Sequence, residues 1–491
     1  MLFSIRTTLV AILLFAALGC GGGSGSATQT RMGDPSNPGQ SNTGQGNTGG
    51  PISIFPPTET LRIGGQRQFA GWDSTVGQYD VIWSLQEGTA AGTLTANGLY
   101  TAPSTPGTFH LVATSSHNAS LSATAAVTIT SVGFVPLTEM STTRAGHTAT
   151  LLADGSVLVA GGTTDTGHSG EIFEPGSSAF VAASPMVHVR SGHCASLLPN
   201  GRVLIAGGAD NVGVLIGTAE IFDPGTQSFT ATADLNHARQ GASCTSLLNG
   251  KVLIAGGGGS GGPALTAELY DPTTGSFQPV GSLVSARTEH RAVRLSDGKV
   301  LLVGGVNQSS SAELFDPASG HFAATGSLHQ ARAGASATLL PNGKVLVLGG
   351  TQTMGPVGGG APAAPVSIAS AELYDPAGGL FHPVGSLLIA RDSHSATLLA
   401  DGTVLVAGGY SHGFDGDAQP EWQTLASAEI FDPGSSASTR AASLETGRAE
   451  HVTTLLNNGQ LLVTGGRAGF QELCCRPKPM ISDLSGAELY K

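Results

Sequence analysis

The chain has 491 residues, 34 acidic against 22 basic, and a formal net charge of −12 at pH 7. That balance argues against a nucleic-acid partner, whose phosphates call for a basic face. Charged residues are only 11% of the chain while glycine reaches 72, which points to turn-dense β structure rather than a helical enzyme, and the length leaves enough chain for two cores. In chain order, the first twenty residues carry Arg6, an apolar run Leu9–Leu18 and then Gly19-Cys20. This is a secretory signal, too short for a membrane-spanning helix. Residues 21–50 are Gly, Ser, Asn, Thr and Gln with almost no apolar side chain, so they read as a disordered tether of roughly 30 Å span.

Ala17-Leu18-Gly19-Cys20 resembles a bacterial lipobox. The resemblance implies a signal peptide over 1–19, diacylglycerol on the Cys20 thiol and, with Gly21 next, a lipid anchor in the outer membrane of a Gram-negative cell envelope. Residues 51–131 form a separate small domain. Ile52-Ser53-Ile54, Gln68-Phe69-Ala70, Val81–Ser84, Phe109–Ala113 and Ala125–Thr130 read as strands at sandwich-like spacing. The run Gly98-Leu99-Tyr100-Thr101-Ala102-Pro103, with Trp83 before it and Pro106-Gly107-Thr108 after, resembles bacterial Ig-like domains of group 2. No cysteine occurs there, so Trp83 is expected to pack on an aliphatic core. The resemblance implies a spacer or adhesion segment.

From residue 133 onward one unit repeats. Arg144, Arg190, Arg239, Arg287, Arg332, Arg391 and Arg448 each stand seventeen residues before a glycine doublet, and the period is 45 to 59 residues. Such fixed internal distances mean one supersecondary unit used repeatedly. Within each unit two short apolar runs flank an Asp-Gly or Asn-Gly turn, such as Asp154-Gly155 or Asn342-Gly343, the residues that tolerate a tight hairpin. The second run, as in Val345-Leu346-Val347-Leu348, is apolar on consecutive positions and is expected to be covered on both faces. A third strand carries a Glu and stops at Pro, and a fourth carries Phe180, Phe229, Phe277, Phe322 or Phe381, with Ser438 in the sixth unit. Four strands in each of seven units predict an all-β, seven-bladed β-propeller over 133–491.

The pattern Arg-x-x-His, apolar strand, Gly-Gly, Glu-x-Phe/Tyr-Asp-Pro resembles kelch repeats, most closely the propeller of the galactose oxidase central domain group. The last unit ends in its third strand, and Phe134 lies ten residues before Arg144 as Phe277 does before Arg287. Residues 133–140 are therefore expected to close the last blade. The copper site of the resembling group needs a cysteine-linked tyrosine, a second tyrosine and two histidines. Tyr270, Tyr374 and Tyr490 occupy the repeated third-strand position and only Tyr410 lies outside it, so no copper site follows by matching positions. No metal or cofactor is expected.

Equivalent positions on different blades lie too far apart to share one ion. His147, His193, His290, His394 and His451, replaced by Ala242 and Ala335 in units three and five, are thus expected to be hydrogen-bonding devices within each blade. The arginines and Glu171, Glu220, Glu268, Glu313, Glu372, Glu429 and Glu488 are expected to pair as scaffold near the doublets. Cys194 and Cys244 read as buried thiols, with a bridge as the alternative. Cys474-Cys475 offer a vicinal disulfide or thiols that are free or paired between molecules.

The connection between second Gly and Glu holds 7 to 11 residues in units one to four but 21, 19 and 21 in units five to seven. Long connections usually carry function or disorder. The fifth, rich in Gly, Pro and Ala, is expected to be mobile. The sixth offers His412, Phe414, Asp415, Asp417, Glu421 and Trp422, and the seventh Arg467, Phe470, Glu472 and Arg476. Aromatics beside charges suit a sugar or a protein surface, with Trp422 and Phe470 as anchors. The expectation is a monomeric, non-catalytic binding or adhesion lipoprotein for a carbohydrate or protein ligand. The alternative is a carbohydrate-active propeller enzyme with its site in the long loops of units five to seven, not a copper radical oxidase.

Overall fold

In a computed structural model the described residues are 50–163, 169–259, 261–306, 310–354, 364–414, 420–471 and 480–491. The signal, the tether, Cys20, Asp415, Asp417, Glu472, Arg476, Cys474 and Cys475 lie outside them. Each repeat pairs its strands in one order. In the first, Thr148–Leu151, Val157–Ala160, Gly170–Glu174 and Ala179–Ala182 lie side by side and antiparallel. Six further four-stranded sheets follow the same plan. In the last, Phe134–Pro136 pairs with the strand Ala487–Tyr490, Phe134 opposite Tyr490. The second strand of every sheet is buried at all four positions, because neighbouring sheets cover both of its faces. In repeats one to five a third-strand aromatic stacks on the fourth-strand Phe at 4.8–5.1 Å. The first strands touch in cyclic order, with Val452–Leu455 meeting Thr148–Leu151. The fold is all-β and propeller-like.

The glycine doublet is where neighbouring repeats meet. Its second N–H donates to the repeated arginine's carbonyl of the next repeat at 2.8–3.2 Å, and Gly466 donates to Arg144, so the series closes on itself. A Cβ on Gly465 would lie 2.4 Å from Arg144 O at a φ of +55°, so no other residue fits. Each arginine is 0–2% exposed. Its Nη1 donates to the first doublet carbonyl at 2.7–3.0 Å, and its Nη2 meets the repeat's glutamate at 2.5–2.9 Å.

Three expectations are corrected at the junctions and connections. The histidines act between repeats, not within them. His147, His193, His290, His394 and His451 each share a 2.9 Å hydrogen bond, through Nε2, with a hydroxyl of the preceding repeat (Thr464, Thr148, Ser243, Ser336 and Ser395). Cys194 and Cys244 form a disulfide. First strands of adjacent repeats run alongside each other and bring the two Cα atoms to 5.5 Å, within bonding reach. Both substitutes for histidine have the same logic. Where Ala242 omits it, Cys194 of the preceding repeat is bridged, and where Ala335 omits it, Arg291 Nε donates to the Ala335 carbonyl at 2.8 Å. The disulfide encloses about fifty residues, so the double replacement Cys194→Ala/Cys244→Ala should lose about 2–4 kcal/mol in urea unfolding. A loss under about 1 kcal/mol would contradict a stapling role.

The described parts of the long connections, third, are built as β structure. The fifth pairs Thr351–Met354 with Ala364–Ser367, while residues 355–363, whose Gly-, Pro- and Ala-rich composition carries the expectation of mobility, lie outside the described residues. Tyr410–Phe414, Pro420–Thr424, Arg467–Gln471 and Met480–Asp483 then make one further four-stranded sheet. The connections of repeats six and seven thus satisfy each other's backbone groups.

Residues 51–131 hold a four-stranded sheet ordered Thr58–Arg62, Ser122–Thr130, Gly107–Ser115 and Val81–Leu85, with smaller sheets beside it. Its core centres on Phe69 and Tyr100, edge to face at 6.2 Å, while Trp83 is only partly buried against it. The core is therefore aromatic and aliphatic, not aliphatic alone. Phe69 also interrupts the expected strand, which divides into Gln66–Gln68 and Ala70–Asp73. This part touches the sixth repeat: Ser443 N–H donates to Thr60 O at 2.9 Å and Ser443 Oγ to Glu59 Oε1 at 2.7 Å.

Candidate functional site

Two residues after each arginine the backbone turns into the left-handed region at the end of the inner strands. Gly146, Gly192, Gly241 and Gly334 take φ of +61 to +66°, but Glu289, Ser393 and Glu450 take +51 to +55° with a side chain. For an L-residue that conformation costs about 1–2 kcal/mol, and such strain gathers at functional sites. Peptide hydrogen bonds link these positions around the rim: Gly192 to Gly146, Gly241 to Gly192, Glu289 to Gly241, Ser393 to Gly334 and Glu450 to Ser393, at 2.8–3.1 Å.

The further sheet stands over this rim and adds polar groups to it. Asp392, 6% exposed in its side chain, accepts at Oδ2 from Ser367 Oγ at 2.7 Å and from His412 Nδ1 at 2.8 Å. Its Oδ1 accepts from Ser393 Oγ at 3.1 Å. The carboxylate orients the imidazole through Nδ1. The Tyr410 hydroxyl donates to Glu450 Oε1 at 3.2 Å. Arg467 joins Glu450 Oε2 at 3.3 Å and Asp483 Oδ1 at 3.1 Å.

Crowding and neighbouring charges shift several of these groups. Glu289 is exposed at the rim, while protein atoms still crowd its carboxyl. Burial, then the negative charges of Glu450 and Asp392, raise its carboxyl above the usual range, against Arg291. Burial and the neighbouring Glu450 likewise raise the Tyr410 hydroxyl. Burial works against the Arg467 charge, but Glu450 and Asp483 outweigh it and hold the guanidinium above its ordinary value. The rim thus carries Glu289, a carboxyl made easier to protonate, and Glu450, held by Tyr410 and Arg467.

Of the residues expected from sequence, His412 and Arg467 belong to this cluster. Trp422 packs edge-on against Tyr410 at 5.5 Å. Phe470 is 38% exposed and pairs in register with Gln423. Phe414 and Glu421 stand near the end of the sixth hairpin, opposite Pro420 and Gly413. Sequence reasoning missed Glu289, Asp392, Ser393, Glu450, Ser367 and Asp483. The signal was the column two after the arginine, where four repeats have Gly and three do not.

No family model matches the chain, and no curated relative does. Among solved structures it is similar to a fungal alcohol oxidase of the AA5 family in complex with copper, with a TM-score of 0.55 and 18% identity, covering 73% of this chain and 76% of that one. It also matches the structure of YjhT with a TM-score of 0.47 and 13% identity, over 62% of this chain and 99% of that one. At 18% identity the first likeness concerns the fold, and it is the fold of an enzyme. This overturns the expectation of a non-catalytic binding or adhesion module. The carbohydrate-active alternative in the long loops is withdrawn with it, because the matched fold belongs to an oxidase. The described residues do not fit a copper ion: no three His, Cys, Asp or Glu side chains among them group around one point. Tyr410 and His412, which lie side by side, are committed to Glu450 and Asp392.

Proposed function

We propose that the protein is an enzyme whose chemistry is proton transfer at the rim, with Glu289 as the acid and Glu450 as the base. The observation that carries this reading is the left-handed backbone at both glutamates, where four repeats keep glycine. Tyr410 and Arg467 hold the Glu450 carboxylate in place, and Asp392 presents His412 beside it. Positioned acids and bases of this kind typically contribute 10²–10⁴-fold each. We further infer a seven-bladed, kelch-type propeller over 133–491, closed by 133–140. An Ig-like module over 51–131 precedes it, and the chain is exported and lipid-anchored through Cys20. The sheet orders, the cyclic hydrogen bonds and the Cys194–Cys244 disulfide support these inferences.

Strain kept for function is released when function is removed. Glu289→Gly gives the fourth repeat the rim residue of its neighbours, and should gain about 0.5–1 kcal/mol in urea unfolding. A loss of more than about 1 kcal/mol would mean that Glu289 serves stability, and would count against an active-site role.

A further inference from the structure

The ring closes through a short strand. Phe134–Pro136 is three residues long and one of them is proline, which has no N–H to give, while the other six outer strands have four to seven residues. The peptide hydrogen bonds around the rim give no help there, because among the described residues none joins Glu450 to Gly146. Opening of the ring by this route has to begin at Gly133, where Gly133 and Lys491 exchange backbone bonds at 3.0 and 3.1 Å.

Residues 51–131 sit on that starting point. Thr58–Arg62 is an edge strand of their four-stranded sheet, and a free edge invites a partner. Here the partner is the segment that follows the last strand of the sixth repeat: Ser443 N–H donates to the Thr60 carbonyl at 2.9 Å, and Ser443 Oγ donates to Glu59 Oε1 at 2.7 Å. Glu59 is 6% exposed and is held from its other oxygen by Arg67 Nε at 3.0 Å. Gly133 lies between the two parts. A Cβ there would stand 2.6 Å from Ala442 Cβ and 2.9 Å from Arg62 Cβ, so the border has no room for a methyl group. We propose that residues 51–131 are the clasp of the ring: docked beside the sixth repeat, they trap Gly133 and keep Phe134–Pro136 from peeling off Ala487–Tyr490. A mere spacer would leave its sheet edge and Glu59 to water.

Hydrogen exchange in the full chain reads this peeling at the Lys491 and Leu137 amides, which donate to the Gly133 and Ala487 carbonyls along the closing strand. The Leu198 amide, in the hairpin of the second repeat, serves as the reference. Ser443→Ala removes one hydroxyl on the ring's side of the border, and Gly133→Ala wedges the border open. Each should speed exchange at Lys491 and Leu137 by about tenfold or more and leave Leu198 unchanged. Gly176→Ala, at a place where a Cβ meets nothing within 4 Å, should change none of the three. Exchange at Lys491 and Leu137 within about twofold of wild type in both variants would overturn the proposal. So would an equal acceleration at Leu198, which reports a general loss of stability in place of an unclasped ring.

Discussion

Replacing Arg190 with alanine should lower stability by about 3–5 kcal/mol, the usual result of stranding one half of a buried ion pair. Arg190 and Glu220 are both fully buried and meet at 2.6 Å. Arg190 Nη1 also satisfies the carbonyls of Gly207 at 2.7 Å and Thr218 at 2.9 Å. Glu220 in turn accepts from the backbone of Val187 and His188, fixing the segment that leads into the arginine. Alanine would leave the buried Glu220 carboxylate without its counter-charge and the Gly207 carbonyl without its guanidinium donor. Removing both charges with Arg190→Met/Glu220→Leu should recover part of the loss, because the lone buried charge is then gone. Urea unfolding measures both variants. A loss below about 1 kcal/mol in the single variant would contradict the role given to the pair.

Acid should weaken the ring steeply. His147, His193, His290 and His451 are pushed down to about 3 by burial and then by nearby arginines, and His394 lies well below its usual value for the same reasons. Their Nδ1 atoms are buried without a partner, so protonation would place an unanswered charge between repeats. The unfolded chain takes up these protons near pH 6.5, but the folded chain does not until about 3. Between those values the unfolded state holds more protons, so stability is whole above 6.5 and falls as the pH falls. Each histidine withdraws at most roughly 1.4 kcal/mol per pH unit. Denaturant unfolding between pH 7 and pH 5 should therefore show a loss of several kcal/mol, and His290→Ala, which copies repeats three and five, should reduce the slope. A flat profile over that range would show that the junction histidines are not neutral and buried.

The repeat was legible because its arginines, doublets and glutamates form one machine whose parts must keep fixed distances. Their pairing near the doublets could be expected from the cost of a lone buried charge. The direction of the histidines could not, since reaching into the preceding repeat depends on how two sheets pack. Cys194 and Cys244 are fifty residues apart, and only the adjacency of inner strands brings them together. The further sheet was hidden for another reason. Connection lengths measure how much chain is present and say nothing of Tyr410–Phe414 pairing with Pro420–Thr424, or of Trp422 meeting Gln471 across two repeats. Attention to length drew the candidate site toward the tips of the connections. Glu289 and Glu450 were visible all along as departures from a column of glycines, and their meaning lies in the positive φ that the column requires.

The central claim is that the rim glutamates do chemistry. The most direct test incubates wild type and Glu289→Gln/Glu450→Gln with one mixture of small alcohols, esters and organic acids, and follows every component by mass spectrometry. Gln keeps the size of both side chains while removing their proton transfer. At least one component should be consumed by wild type and spared by the double variant, with the fold unchanged by circular dichroism. Identical consumption by the two proteins, or none by either, would contradict the account.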